Sequence, residues 1–105
     1  MSFYRVTTPQ HTFTLPFSTS ECSVIQVTYT QGGVQLVKEY DGTLPSGMVL
    51  DDDTVIINLT QEETKQFKVG TVSAQVRVLT TGNKAYASSE FTVSVRKVNN
   101  DEVLA

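Results

Sequence analysis

The sequence predicts an all-β domain: an immunoglobulin-like β-sandwich of about seven strands with one short helix near residues 60–67. Three observations carry this. Fifteen Val and fifteen Thr fill more than a quarter of the 105 positions, and β-branched side chains suit a pleated, half-buried surface. Apolar and polar residues alternate in several short runs, and turn-forming clusters recur about every 8 to 12 residues. The single cysteine, Cys22, and the lack of Trp leave out the disulfide and the buried indole that pin antibody domains, so apolar packing alone must hold the fold. A small closed barrel is the alternative, because periodicity does not separate two packed sheets from one closed sheet. The length supports one core. Residues 9–98 are assigned to the sandwich, 1–8 to an N-terminal arm or edge strand, and 99–105 to a polar, acidic C-terminal tail.

Each element has its own signal. Phe3 to Thr8 opens the chain and Pro9 interrupts it. Phe13, Leu15 and Phe17 then share one face of a short strand. Ser18 to Glu21 reads as a turn. From Ser23 to Thr30, Ile25, Val27 and Tyr29 alternate with Gln26, Thr28 and Thr30, and Gln31-Gly32-Gly33 joins this strand to Val34–Tyr40 at hairpin distance. Asp41 to Gly47 is a connecting loop. Met48–Leu50 is a brief strand, and Thr54–Leu59 follows with Val55, Ile57 and Leu59 in phase. Thr60-Gln61-Glu62-Glu63 fits a capping box, which predicts one or two helical turns ending before Gly70, with Phe67 as the apolar anchor. Thr71–Thr80 is the longest strand, with Val72, Ala74, Val76 and Val78 inward. Thr81 to Lys84 turns the chain into a partner strand spanning Ala85–Val98.

Composition excludes several classes of function. Eight Lys and Arg against eleven Asp and Glu give a net charge of −3; with the basic residues Lys65, Lys68, Arg77, Lys84, Arg96 and Lys97 scattered among acids, no nucleic-acid partner is expected. No apolar run approaches the roughly 20 residues of a membrane span. The first residues carry no signal-peptide pattern, so synthesis in a cytoplasm is expected.

Candidate chemistry is sparse. Asp51-Asp52-Asp53 is the one dense set of hard oxygen ligands, but three consecutive Asp residues point in different directions, and a solvated turn is the preferred reading over a calcium site. Cys22 and His11 could be paired as thiolate and imidazole; yet Glu21 beside Cys22 raises a thiol pKa, so Cys22 is read as structural and His11 as a surface or strand-end residue. Glu62 and Glu63 are neighbours on one short helix and cannot flank a substrate, and Glu90 has no partner by motif. No enzyme, cofactor or metal is therefore expected. Among the aromatic residues Phe3, Tyr4, Tyr29, Tyr40 and Tyr86, packing is the commoner fate, while Tyr4 and Tyr86, if exposed, offer a binding platform.

Several segments resemble small structural proteins of bacteriophages and prophages of gut Firmicutes, a family without an assigned activity. They are Thr8-Pro9-Gln10-His11-Thr12-Phe13-Thr14-Leu15-Pro16-Phe17, Ile25-Gln26-Val27-Thr28-Tyr29-Thr30-Gln31, Leu59-Thr60-Gln61-Glu62-Glu63-Thr64, Gln75-Val76-Arg77-Val78-Leu79-Thr80 and Asp101-Glu102-Val103-Leu104. The resemblance implies a non-enzymatic virion component: a head decoration, a neck or tail adaptor, or a baseplate piece. It implies other phage structural proteins as partners, a homo-oligomeric or multi-copy state in the assembly, and localisation to the virion. Contact arms are expected at both ends of the chain, with Phe3, Tyr4, Val103 and Leu104 as assembly contacts. The alternative function is a glycan- or surface-binding module aiding phage attachment, with Tyr86 at the binding surface.

Overall fold

The computed structural model describes all residues from Met1 to Ala105. Two sheets face each other. The larger has the order β1 (Ser2–Tyr4), β9 (Phe91–Arg96), β7 (Gly70–Thr80), β3 (Cys22–Gln31), β4 (Val34–Tyr40), with β8 (Ala85–Ala87) also paired to β7; the smaller has the order β2 (Gln10–Thr14), β6 (Thr54–Asn58), β5 (Met48–Asp51). All pairings are antiparallel except β1 with β9. Two separate sheets make this a sandwich rather than a closed barrel.

The alternation read from the sequence places the core. Ile25, Val27 and Tyr29 of β3 and Val72, Ala74, Val76 and Val78 of β7 point inward, and Phe13, Val55, Ile57 and Leu59 meet them from the smaller sheet. Burying each such side chain contributes about 1.5–3 kcal/mol relative to leaving it exposed. Helix α1 (Gln61–Lys65) follows the smaller sheet. Thr60 Oγ1 accepts from the Glu63 amide at 3.2 Å and Glu63 Oε1 accepts from the Thr60 amide at 2.9 Å, so both halves of the expected capping box form. Just past the helix, Phe67 is fully buried. A second capping box, Ser18 with Glu21, opens a 3₁₀ turn over Thr19–Glu21.

Four findings correct the sequence reading. The strand expected across Ala85–Val98 is broken into β8 and β9, because the ladder stops at Ser88: its amide still donates to the Val76 carbonyl at 2.8 Å, but its hydroxyl, in place of its carbonyl, accepts from the Val76 amide at 3.0 Å, and its carbonyl accepts from the Gln75 side chain at 2.9 Å. With β1 and β8 counted, nine strands form rather than about seven. His11, expected at the surface, is 4% exposed because it shares the inward parity of Phe13. Phe3, expected as an assembly contact, belongs to the core at 5% exposure; β1 docks on β9 and turns that ring inward.

The loop between the β4 and β5 strands is tied by Gly47. Its φ is +82°, and a Cβ there would lie 2.3 Å from the Asn58 carbonyl oxygen, so no larger residue fits without moving backbone. The Asn58 amide donates to the Gly47 carbonyl at 2.7 Å.

Candidate functional site

Two surfaces and a buried polar layer hold the residues that chemistry could use. The first surface lies where the two termini meet α1. Arg5, directly after β1, donates from Nε to the Phe67 carbonyl at 2.7 Å and from a terminal nitrogen to the Lys65 carbonyl at 3.0 Å, and its other terminal nitrogen pairs with Asp101 at 3.2 Å. The end of the tail is strapped on by a second side chain. Gln61 Oε1 accepts from the Leu104 amide at 2.8 Å while Gln61 Nε2 donates to the Leu104 carbonyl at 2.9 Å, as a neighbouring strand would. A groove of about 260 Å³ lies between Arg5, Val6, Thr7, Val98, Glu102 and Leu104. Leu104 is 79% exposed at this end, Tyr4 is 51% exposed one residue before Arg5, and Val103 is 36% exposed. Three of the four expected contact residues thus remain accessible. Gln61, which the sequence marks only as the first residue after the Thr60 cap, holds the end of the tail, and the capping box gives no sign of that role.

The second surface is the outer face of the larger sheet. Register aligns Glu39, Gln26, Arg77 and Ala87 in one row across β4, β3, β7 and β8. A groove of about 280 Å³ runs past Val24, Leu79, Ala85 and Tyr86, and a second of about 310 Å³ is lined only by polar residues, among them Thr28, Thr30, Gln75 and Glu90; Gln26 and Arg77 belong to both. Gln26 Nε2 donates to Glu39 at 3.1 Å. Tyr86 is 49% exposed; paired with the inward Val78, it shares that residue's face and stands at the sandwich edge, its ring 5.5 Å from that of Phe17, where it borders the outer groove. The alternation of β3 and β7 already put Gln26 and Arg77 on one outward face; that they adjoin Tyr86 depends on β8, which no local signal announced.

Between the sheets, charge is paired. Lys38 points inward from β4, donates to the Ser46 carbonyl at 2.9 Å and pairs with Glu63 at 2.6 Å, the two side chains being 10% and 17% exposed. Burial pushes the Glu63 pKa up, but the hydrogen bond from Lys38, the Thr60 amide and the lysine's charge outweigh it and hold the carboxyl below its usual range. An inward lysine on an edge strand also discourages a second sheet from pairing with β4. Nearby, the Tyr29 hydroxyl lies 2.8 Å from His11 Nδ1. Burial, reinforced by Glu63, pushes the Tyr29 phenol well up, and burial, reinforced by the N-terminal amine, pushes the His11 imidazole down.

The remaining candidates do not assemble. Cys22 is buried, and burial together with Glu21 pushes its thiol up, away from the reactive thiolate; it bonds weakly to the Ser18 carbonyl, while His11 is held by Tyr29. Glu63 is engaged between the sheets while Glu90 lies in the outer groove, so the two do not flank a common space. Asp51–Asp53 forms the β5–β6 turn. The Asp52 carbonyl accepts from the Thr19 amide and hydroxyl, each at 2.7 Å, and no group of three His, Cys, Asp or Glu side chains converges on a metal-sized space. No helix is long and apolar enough to cross a membrane.

No family model and no curated protein matches the chain. Among solved structures, the chain is similar to part of a Bacteroides vulgatus protein described as a "putative glycoside hydrolase", with a TM-score of 0.52 and 12% identity over 93% of this chain and 16% of the other. The chain therefore spans less than a fifth of that protein's length. A likeness at this identity shows the sandwich fold alone.

Proposed function

We propose that this chain is a non-enzymatic structural protein of a bacteriophage particle, a head decoration, neck or tail adaptor, or baseplate component, that acts by protein–protein assembly in many copies. The resemblance of its segments to phage structural proteins motivates the reading. One structural observation carries it: Tyr4, Val103 and Leu104 are accessible at the end where both termini are strapped to the sandwich by Arg5 and Gln61. Strapping lowers the ordering cost that a free arm would meet on binding a partner. Other phage structural proteins or further copies of this chain would dock there. Mass spectrometry of purified particles from the host strain tests it: the protein should be present at a copy number matching a symmetric assembly, and its absence from particles sinks the proposal. A Leu104→Asp variant that still folds should be depleted from particles.

A second reading is favoured by the outer-face grooves. The row of amides, hydroxyls, a guanidinium and carboxylates on that face can hydrogen-bond vicinal diols, and the exposed Tyr86 at the sandwich edge borders it, so a glycan on a bacterial or mucosal surface is its proposed ligand. A glycan array in which signal is lost with Tyr86→Ala or Arg77→Ala supports it, and a blank array counts against it.

A further inference from the structure

The one histidine occupies an unusual place. His11 sits on β2, an edge of the smaller sheet, and faces Phe3 on β1, an edge of the larger sheet, with ring centroids 5.8 Å apart. Its Nδ1 is taken up by Tyr29, but its Nε2 is buried with no hydrogen-bond partner. A neutral imidazole tolerates that position at a cost; an imidazolium, with two N–H donors and a full charge, does not. The groups around it offer no counter-charge. Tyr29 faces it from β3, the Met1 amine adds positive charge from the start of the chain, and Glu63 of α1, beyond Tyr29, is already neutralised by Lys38 of β4.

Something must move when this ring takes a proton. Tyr29 belongs to the central ten-residue β3, bonded on both sides, and cannot give way. β1 can: it has three residues, pairs on one side only, and is followed two residues on by Val6, a β-branched residue held at a φ of +57°. We propose that His11 is an acid-sensitive latch between the two sheets, and that its protonation expels Phe3 and releases strand β1 from β9 while the rest of the sandwich stays folded. Release relaxes the turn at Val6, opens a path for water to the imidazolium, and uncovers the outer edge of β9 for pairing with another strand.

The test is amide hydrogen exchange by NMR on the full chain at pH 7.5 and pH 5.5, reported as protection factors so that the intrinsic rate change cancels. The Ser94 amide, which donates to the Met1 carbonyl, and the Arg5 amide, which donates to the Arg96 carbonyl, should lose protection in acid. Amides of Val27 and Val76 should keep theirs. Because the chain has one histidine, the loss should follow one proton, about tenfold per pH unit below the imidazole's ordinary value, and should vanish in a His11→Gln variant. If that variant does not fold, a Phe3→Ala variant, with the latch already open, should show low β1 protection at both pH values. Unchanged β1 protection in the wild type overturns the proposal, and so does an equal loss across β1, β3 and β7.

Discussion

The chain passes from the smaller sheet to the larger one twice in similar style, and the two passages differ in what they hold. After β2, Ser18 and Glu21 form a capping box over a 3₁₀ turn; after β6, Thr60 and Glu63 form one over α1. Since β2 and β6 are antiparallel, the two boxes lie at opposite ends of the smaller sheet. At the first, the Glu21 carboxylate caps the Ser18 amide at 3.2 Å and otherwise faces solvent. At the second, Glu63 does the same for Thr60 and also neutralises an inward lysine. One motif is local, and the other ties a helix, an edge strand and the core together. The difference follows from what lies opposite: the Ser18 turn packs on the backbone of the Asp51–Asp53 turn, whereas α1 packs against Lys38 and, through Thr64, against Thr7.

This contrast can be broken from the top down. Lys38→Met has the largest expected effect, since it leaves the half-capped Glu63 carboxylate without its cation; urea unfolding should show a loss of about 3–5 kcal/mol. A Lys38→Met, Glu63→Leu double variant should recover much of that loss, because it buries no charge. Glu63→Gln comes next at about 2 kcal/mol, as an amide still caps Thr60 but no longer meets Lys38 as an anion. The same variant sharpens the comparison through pH. The Glu63 carboxyl is depressed in the folded state, so its contribution is present above the ordinary value of 4.5 and is lost as pH falls through the folded one. Stability measured from pH 6 down to pH 3 should therefore fall less steeply in Glu63→Gln than in the parent. Thr60→Ala should cost about 1 kcal/mol through the lost cap alone. Smallest is Glu21→Gln, expected within about 0.5 kcal/mol of the parent. Equal losses from the two Glu→Gln changes would falsify the distinction between the boxes.

Much of this was legible in the residues, and the exceptions share a cause. Alternation marked the inward faces of β3 and β7, and Thr60-Gln61-Glu62-Glu63 marked its helix start, because a capping box is a local hydrogen-bond pattern written at fixed spacing. The Ser18–Glu21 box has the same spacing but is followed by a strand, so it reads only as a turn. His11 and Lys38 could not be placed from chemistry alone: each shares parity with apolar inward neighbours, His11 with Phe13 and Lys38 with Leu36, yet a titratable side chain argues for solvent. Their partners, Tyr29 and Glu63, are 18 and 25 positions away in the chain. For the candidate surfaces, Tyr4, Val103, Leu104 and Tyr86 could be picked as exposed apolar residues, but not the grooves beside them. Those arise from β8 pairing with β7 and from Gln61 standing in for a strand, and both depend on tertiary placement.

The parallel pairing of β1 with β9 has a mechanical consequence. Tension on the chain ahead of β1 and beyond β9 draws these two strands along their length in opposite directions, so every bond between them is loaded at once instead of being peeled one by one. The antiparallel ladders behind them, β9 with β7 and β7 with β3, feel that load only after this short pair has slipped. Three residues at the edge of the sandwich thus stand first in line against force, and the short β1–β9 pair is the first to meet the load.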